Sequence, residues 1–180
     1  MSKNIVVLSG SPRKGGNTDK LAAAFKEGAE SAGKTVTLFR VADMNVSGCR
    51  ACEYCFENKG VCIQQDDMAQ IIEALRNADA VVWASPVYYF TMSAQLKLAI
   101  DRHYALVKEG MPIKRTALLM TCADDTIEVA EGAIATFKQN AKYHNWEDAG
   151  ILIVTGVHNV NDIDGRENEL GQARKLGQEI

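Results

Sequence analysis

Ile5-Val6-Val7-Leu8-Ser9-Gly10-Ser11-Pro12-Arg13-Lys14-Gly15-Gly16-Asn17-Thr18 runs from an apolar stretch through a glycine-rich loop into the start of a helical pattern. An apolar run without polar alternation suits a strand covered on both faces, and the loop that follows suits the turn of a βα unit. The same kind of run returns at Val36-Thr37-Leu38-Phe39, Ala80-Val81-Val82-Trp83, Ala117-Leu118-Leu119-Met120 and Ile151-Leu152-Ile153-Val154. Helical patterns lie between them at about 18–32, 66–77, 93–107 and 126–145, with a last one from Arg166. Repeated βα units with right-handed crossovers predict an α/β fold: a doubly wound, five-stranded parallel sheet with helices on both faces. Its ligand site is expected at the C-terminal ends of the strands, near the topological switch point.

The chain of 180 residues fits one domain spanning 1–180, and 47% hydrophobic residues supply a self-sufficient core. Lys and Arg number 20 against 23 Asp and Glu, a formal charge of −3, so there is no global basic field to hold nucleic acid or an anionic membrane. Met1-Ser2-Lys3-Asn4 leads into an apolar run too short for a signal peptide or a membrane span, and a cytoplasmic protein is expected. Of the five cysteines, four fall between Cys49 and Cys62. An odd, clustered set is a poor disulfide framework and points to metal or redox chemistry.

The first loop has the makings of a phosphate site. Glycines permit close backbone approach, a helix N-terminus offers unpaired N–H groups with partial positive charge, and Ser11, Arg13, Asn17 and Thr18 add donors. Neither the nucleoside-triphosphatase loop pattern nor the dinucleotide G-x-G-x-x-G pattern is present, which favours one terminal phosphate and hence a mononucleotide. An acidic cluster for Mg²⁺, as a phosphorylatable receiver module needs, is missing where Ser9-Gly10-Ser11 stands. The third apolar run leads into Ser85-Pro86-Val87-Tyr88-Tyr89-Phe90-Thr91-Met92-Ser93. Pro86 reads as a strand breaker, and three consecutive aromatics at the ligand edge can border a planar ring. FMN combines a planar ring with a single phosphate.

The stretch 41–65 is far longer than an ordinary βα connection, and it carries Cys49-x2-Cys52-x2-Cys55-x6-Cys62. Four thiolates at this spacing can hold one iron-sulfur cube or one tetrahedral zinc, or stand as free or reversibly oxidised thiols. His103, His144 and His158 show no ligand spacing and read as surface or satisfied histidines. Asp66-Asp67 reads as a helix start, Asp101-Arg102 as a helix end with a role in the fold, and Cys122 as a small buried hydrophobe.

Gly10-Ser11-Pro12-Arg13 with Gly16-Asn17-Thr18, the Cys loop closing on Asp66-Asp67-Met68, and Ser85-Pro86-Val87-Tyr88 through Gln95-Leu96-Lys97 to Asp101-Arg102 together resemble the NAD(P)H-dependent FMN reductases. By its Cys loop the chain is most similar to the iron-sulfur flavoprotein branch. The resemblance covers roughly the first hundred residues and implies a flavodoxin-like fold. It also implies an FMN cofactor, NAD(P)H as electron donor, and commonly a homodimer with the flavin near the interface. Carried over, it places Ser11, Arg13, Asn17 and Thr18 on the FMN phosphate, with Ser9 close by. Pro86, Val87, Tyr88, Tyr89 and Phe90 border the isoalloxazine, and Thr121 to Asp124 stand near it. It makes Cys49, Cys52, Cys55 and Cys62 the ligands of a 4Fe-4S cluster. The implied activity is oxidoreduction, with electrons passing to a quinone, flavin, nitro compound or similar acceptor. The alternative is an electron carrier between ferredoxin and a partner protein. Flavin chemistry needs no acid-base pair, and no catalytic side-chain set is expected.

Overall fold

The computed structural model describes residues 3–180. Of the N-terminal segment 1–4, Met1 and Ser2 lie outside the described residues. Five parallel strands, β1 (Asn4–Ser9), β2 (Thr35–Arg40), β3 (Ala80–Tyr88), β5 (Arg115–Thr121) and β6 (Glu147–Val154), are ordered β2-β1-β3-β5-β6. A short β4 (Thr91–Met92) turns back antiparallel on the end of β3. The helices are α1 (Asn17–Ser31), α2 (Tyr54–Glu57), α3 (Met68–Arg76), α4 (Ala94–Arg102), α5 (Glu131–His144) and α6 (Glu167–Glu179). This is the doubly wound, flavodoxin-like arrangement. The chain leaves β1 toward β2 on one side and returns to β3 on the other, so the switch point lies between the β1 and β3 ends.

Strand side chains alternate between two cores. Ile5, Val7, Val82, Ala84, Ala117 and Leu119 face α1 and α6, where they meet Leu21, Phe25, Leu170 and Ala173. Val6, Leu8, Val81, Trp83, Leu118 and Met120 face the opposite layer, against Ile71, Leu75, Leu96 and Phe137. Both faces are covered, which is why the strands read as continuous apolar runs. Glycine sets the closest helix contact: a Cβ on Gly28 would stand 2.0 Å from Arg174 O, and one on Gly177 would stand 2.1 Å from Phe25 O.

Three boundaries differ from the sequence pattern. Pro86 does not break β3, which continues to Tyr88 with Pro86 paired in register to Thr121. Pairing with β1 has already ended at Ala84, so on that edge the missing proline N–H is not called for. The helical patterns at 93–107 and 126–145 each divide into an α-helix and a 3₁₀ segment, His103–Leu106 after α4 and Ile127–Ala130 before α5. The stretch 41–65 holds a 3₁₀ turn, Val41–Asp43, and α2. No helix among the described residues is long and apolar enough to cross a membrane.

Candidate flavin site and cysteine cavity

A cavity of about 170 Å³ opens at the C-terminal ends of the central strands. Ser11 and Arg13 line it from the first loop, Asn17 and Thr18 from the start of α1, Pro86, Val87 and Tyr88 from β3, Thr121 from the end of β5, and Cys122 and Ala123 from the loop that follows. Val157 and His158 close it from the loop after β6. The first loop turns tightly into α1, whose first two residues, Asn17 and Thr18, reach this space. Gly15 takes φ +65°, a left-handed conformation natural to glycine, and Gly16 N–H donates to Arg13 O at 3.1 Å. Gly16 is the N-cap of α1 and no side chain caps the helix, so the first-turn N–H groups have no side-chain acceptor. That is an anion cradle of the kind a terminal phosphate fits.

Side chains in the cradle divide into those free to bind and those already used. Arg13 is exposed, with one guanidinium nitrogen donating to His158 O at 2.8 Å. The Ser11 hydroxyl accepts from Arg13 N–H at 3.3 Å, and the Thr18 and Thr121 hydroxyls pair at 2.7 Å. Asn17 is committed to the fold: its amide donates to Asn159 O at 2.9 Å and to Val157 O at 3.4 Å, and accepts from Ile163 N–H. It lines the cavity while tying the last loop to the first. Ser9 is buried beside the site rather than in it, donating to Asp19 at 3.2 Å. Gly10 serves helix packing, since a Cβ there would meet Ser93 Oγ at 2.4 Å and Leu96 Cβ at 2.6 Å.

Asp19 and Arg40 shape the loop and carry no motif in the sequence. Asp19 accepts from Gly15 N–H at 2.9 Å and pairs with Arg40, which also donates to Ser11 O at 3.3 Å. A carboxylate at the start of a helix is the only local signal for the first, and nothing local marks the second. Val157 was likewise unmarked, and His158, read from the sequence as a surface or satisfied histidine, is exposed at the cavity's rim; only the rule that ligands gather at strand C-termini points to their loop.

The aromatic stretch forms a tight hairpin. Val87 pairs with Met92 and Tyr88 with Thr91, leaving Tyr89 and Phe90 as a two-residue turn at φ 44° and 65°. Such turns favour asparagine and glycine, so two bulky aromatics here are strained. The turn is held by α5, whose Gly132 comes so close that a Cβ would lie 2.6 Å from Phe90 O. Tyr88 lines the first cavity. Tyr89, 97% exposed, and Phe90, 65% exposed, instead border a shallower neighbouring cavity with Cys122, Asp124 and Val129. Cys122 is buried as the sequence indicates, with burial pushing its thiol pKa up, yet it touches both cavities.

The four clustered cysteines line one separate cavity together with Arg102 and Tyr104. Cys49 and Cys52 are exposed, Cys62 is half-buried, and Cys55 is buried, which raises its thiol pKa. Ala51, Glu53 and Lys59 all adopt positive φ, so the backbone winds tightly round this space. The donor set is all-thiol and converges on one cavity, as an iron-sulfur group requires in kind. As placed, no three of the described His, Cys, Asp or Glu side chains stand close enough to hold a metal ion. Asp66 and Asp67 do more than open α3: they accept from Ser47 N–H and Asn45 N–H and so brace the loop. Burial opposes the Asp66 charge, but hydrogen bonds from Arg102 and Ser47 outweigh it and hold the carboxyl below its usual range. His103 is neither surface nor fully satisfied. It is buried, Nε2 has no partner among the described residues, and burial lowers its pKa to about 3.

The family model described as NADPH-dependent FMN reductase matches residues 3–146. An iron-sulfur flavoprotein of Methanosarcina thermophila is 39% identical over 111 residues, 61% of this chain and 57% of that one. A Bacillus subtilis relative, provisionally named an NAD(P)H-dependent FMN-containing oxidoreductase, is 34% identical over 129 residues, 67% of each chain. The matched stretch spans about half the length of the first curated relatives, between 44% and 57%. Among solved structures, the NAD(P)H:quinone oxidoreductase from Methanothermobacter marburgensis has a TM-score of 0.78 over 99% of this chain and 96% of that one. At 21% identity that likeness is one of fold.

Proposed function

The chain belongs to the NADPH-dependent FMN reductase family, and we propose that it is an FMN-dependent NAD(P)H oxidoreductase passing electrons to a quinone, flavin, nitro compound or similar acceptor. The observation that carries this is the convergence, at the switch point, of the uncapped α1 N-terminus with the β3 edge in one cavity. Bound there, FMN would supply the redox chemistry that links NAD(P)H to the acceptor. The protein's part is to bind and to shield. The α1 N-terminus, Ser11, Arg13 and Thr18 hold the phosphate, with Asn17 and Ser9 fixing the loop around them. Pro86, Val87, Tyr88 and Thr121 wall the ring, and Tyr89 and Phe90 border the open side from which donor and acceptor enter. Residues 1–180 form one domain that acts in the cytoplasm and assembles as a homo-oligomer.

A second reading is favoured by the shared cavity of Cys49, Cys52, Cys55 and Cys62 and by relatives named iron-sulfur flavoproteins. In it these cysteines hold a 4Fe-4S cluster, and the protein also exchanges single electrons with ferredoxin or a similar carrier. Anaerobic purification separates the two. Flavin reduced by NAD(P)H and reoxidised by a quinone in iron-free protein supports the reductase alone. Iron and sulfide near four each per chain, lost in Cys52→Ala and Cys55→Ala with FMN retained, support the cluster. Failure of NAD(P)H to reduce bound flavin would remove the first reading.

A further inference from the structure

Arg102, the last residue of α4, is 2% exposed and touches three separate parts of the cysteine loop. Its Nη1 donates to Ser47 O at 3.1 Å and to Asp66 Oδ2, and its Nη2 donates to Cys62 Sγ at 3.3 Å. Ser47 precedes the first clustered cysteine and Asp66 follows the last, so one guanidinium closes the base of the loop and reaches its inside. An ion pair with Asp66 accounts for Nη1 but not for the second nitrogen, which is aimed at sulfur.

The surroundings fix that aim. Asp66 is itself oriented by N–H groups of Ser47 at 3.0 Å and Met68 at 3.2 Å. The segment after α4 forms the floor on which the loop sits. Lys108 Nζ donates to Phe56 O at 2.6 Å, the Phe56 and Tyr104 rings lie 4.8 Å apart, and a Cβ on Gly60 would be 2.8 Å from Ala105 O. At its other end α4 is pinned to the flavin loop, Ser93 Oγ donating to Gly10 O at 2.8 Å. One helix thus has the phosphate loop at its start and the cysteine cavity at its end, about 13 Å away at the ordinary helical rise.

We propose that Arg102 is a positioning residue for Cys62: its forked guanidinium, held by Asp66 and Ser47, keeps the Cys62 sulfur turned into the cavity that the other three cysteines line. A fork is needed because the three acceptors lie in different directions around one planar group, whereas the compact ammonium of a lysine can hold Asp66 without reaching sulfur as well. A charged donor also makes a stronger hydrogen bond to sulfur than a neutral one does.

The test is site-resolved alkylation by iodoacetamide, read by peptide mass spectrometry on the full FMN-loaded chain, reduced and freed of iron by chelation. It is run at about pH 10, where an ordinary thiol is already ionised and a lost cation no longer lowers the reactive thiolate fraction. Because the protein is metal-free, absence of a cluster would sink the second reading above and leave this test standing. In Arg102→Lys, Cys62 is expected to react about tenfold faster, the factor corresponding to roughly 1.4 kcal/mol of lost hydrogen bonding. Cys49, Cys52, Cys122 and FMN affinity should not change. Arg102→Met paired with Asp66→Asn, which leaves no unpaired buried carboxylate, should show the same acceleration. An unchanged Cys62 rate in both folded variants would overturn the proposal. So would equal acceleration of Cys62 and the remote Cys122, or loss of the fold in both variants, since Arg102 would then serve the fold alone.

Discussion

Asp19 accepts from Ser9 and Gly15 and pairs with Arg40, so a single carboxylate holds the phosphate loop in shape without touching the cavity. Asp19→Ala should therefore weaken FMN binding by about tenfold through the loop, while Arg13→Ala should weaken it by removing a charge-assisted contact worth on the order of 1.5 to 3 kcal/mol. Fluorescence titration with FMN separates them, because added salt should narrow only the difference between wild type and Arg13→Ala. Ser11, Arg13 and Thr18 were legible in the sequence because their chemistry is local to a loop of recognisable kind. Asp19 with Arg40, and His158, were not, because they meet the loop only after the chain has folded back on itself. His103 gives a pH dependence. Its folded pKa of about 3 lies below the ordinary value of 6.5, with the ring facing Trp83 and with His144 as the nearby titratable group. The unfolded chain therefore binds a proton that the folded one refuses. Stability should be intact above pH 6.5 and fall toward pH 3 by up to about 1.4 kcal/mol per pH unit. Urea melts across that range should show a shallower fall in His103→Phe than in the parent.

At the scale of elements, the strands and most helices were readable because apolar runs covered on both faces leave a continuous pattern. The edges of the site were harder. Pro86 carries the local signature of a breaker, yet it sits where β1 no longer pairs, and only the sheet order reveals that. The hairpin is harder still, since Tyr89-Phe90 lacks the asparagine and glycine that announce a two-residue turn. Its conformation is imposed from outside by α5. Gly132→Ala should drive a Cβ against Phe90 O and destabilise the protein by about 1–3 kcal/mol, a fall in melting temperature of roughly 2–4 °C per kcal/mol for a chain this long. The flavin site should change with it. Tyr88→Ala should alter the quenching of bound flavin without that loss of stability, because Tyr88 borders the cavity and is not packed in a core.

Across the whole molecule, one topology places two cavities at opposite ends of α4: the proposed flavin site at the switch point, and the cysteine cavity under the long connection after β2. The doubly wound parallel sheet and the place of the first cavity follow from alternation of strands and helices and from the rule that ligands collect at strand C-termini. The cysteine cavity does not follow from spacing alone. That four cysteines line one cavity depends on Asp66, Asp67 and the floor after α4, contacts separated by tens of residues in the chain. The central claim is that the first loop and the β3 edge form one FMN site. It is tested most directly by isothermal titration of flavin-free protein with FMN, FAD and riboflavin, followed by anaerobic addition of NAD(P)H to the loaded protein. The account predicts one FMN per chain, far weaker binding of riboflavin because it lacks the phosphate, no preference for FAD, and bleaching of the bound flavin by NAD(P)H. Equal affinity for riboflavin and FMN, or tighter binding of FAD, would contradict a phosphate seated on the α1 N-terminus.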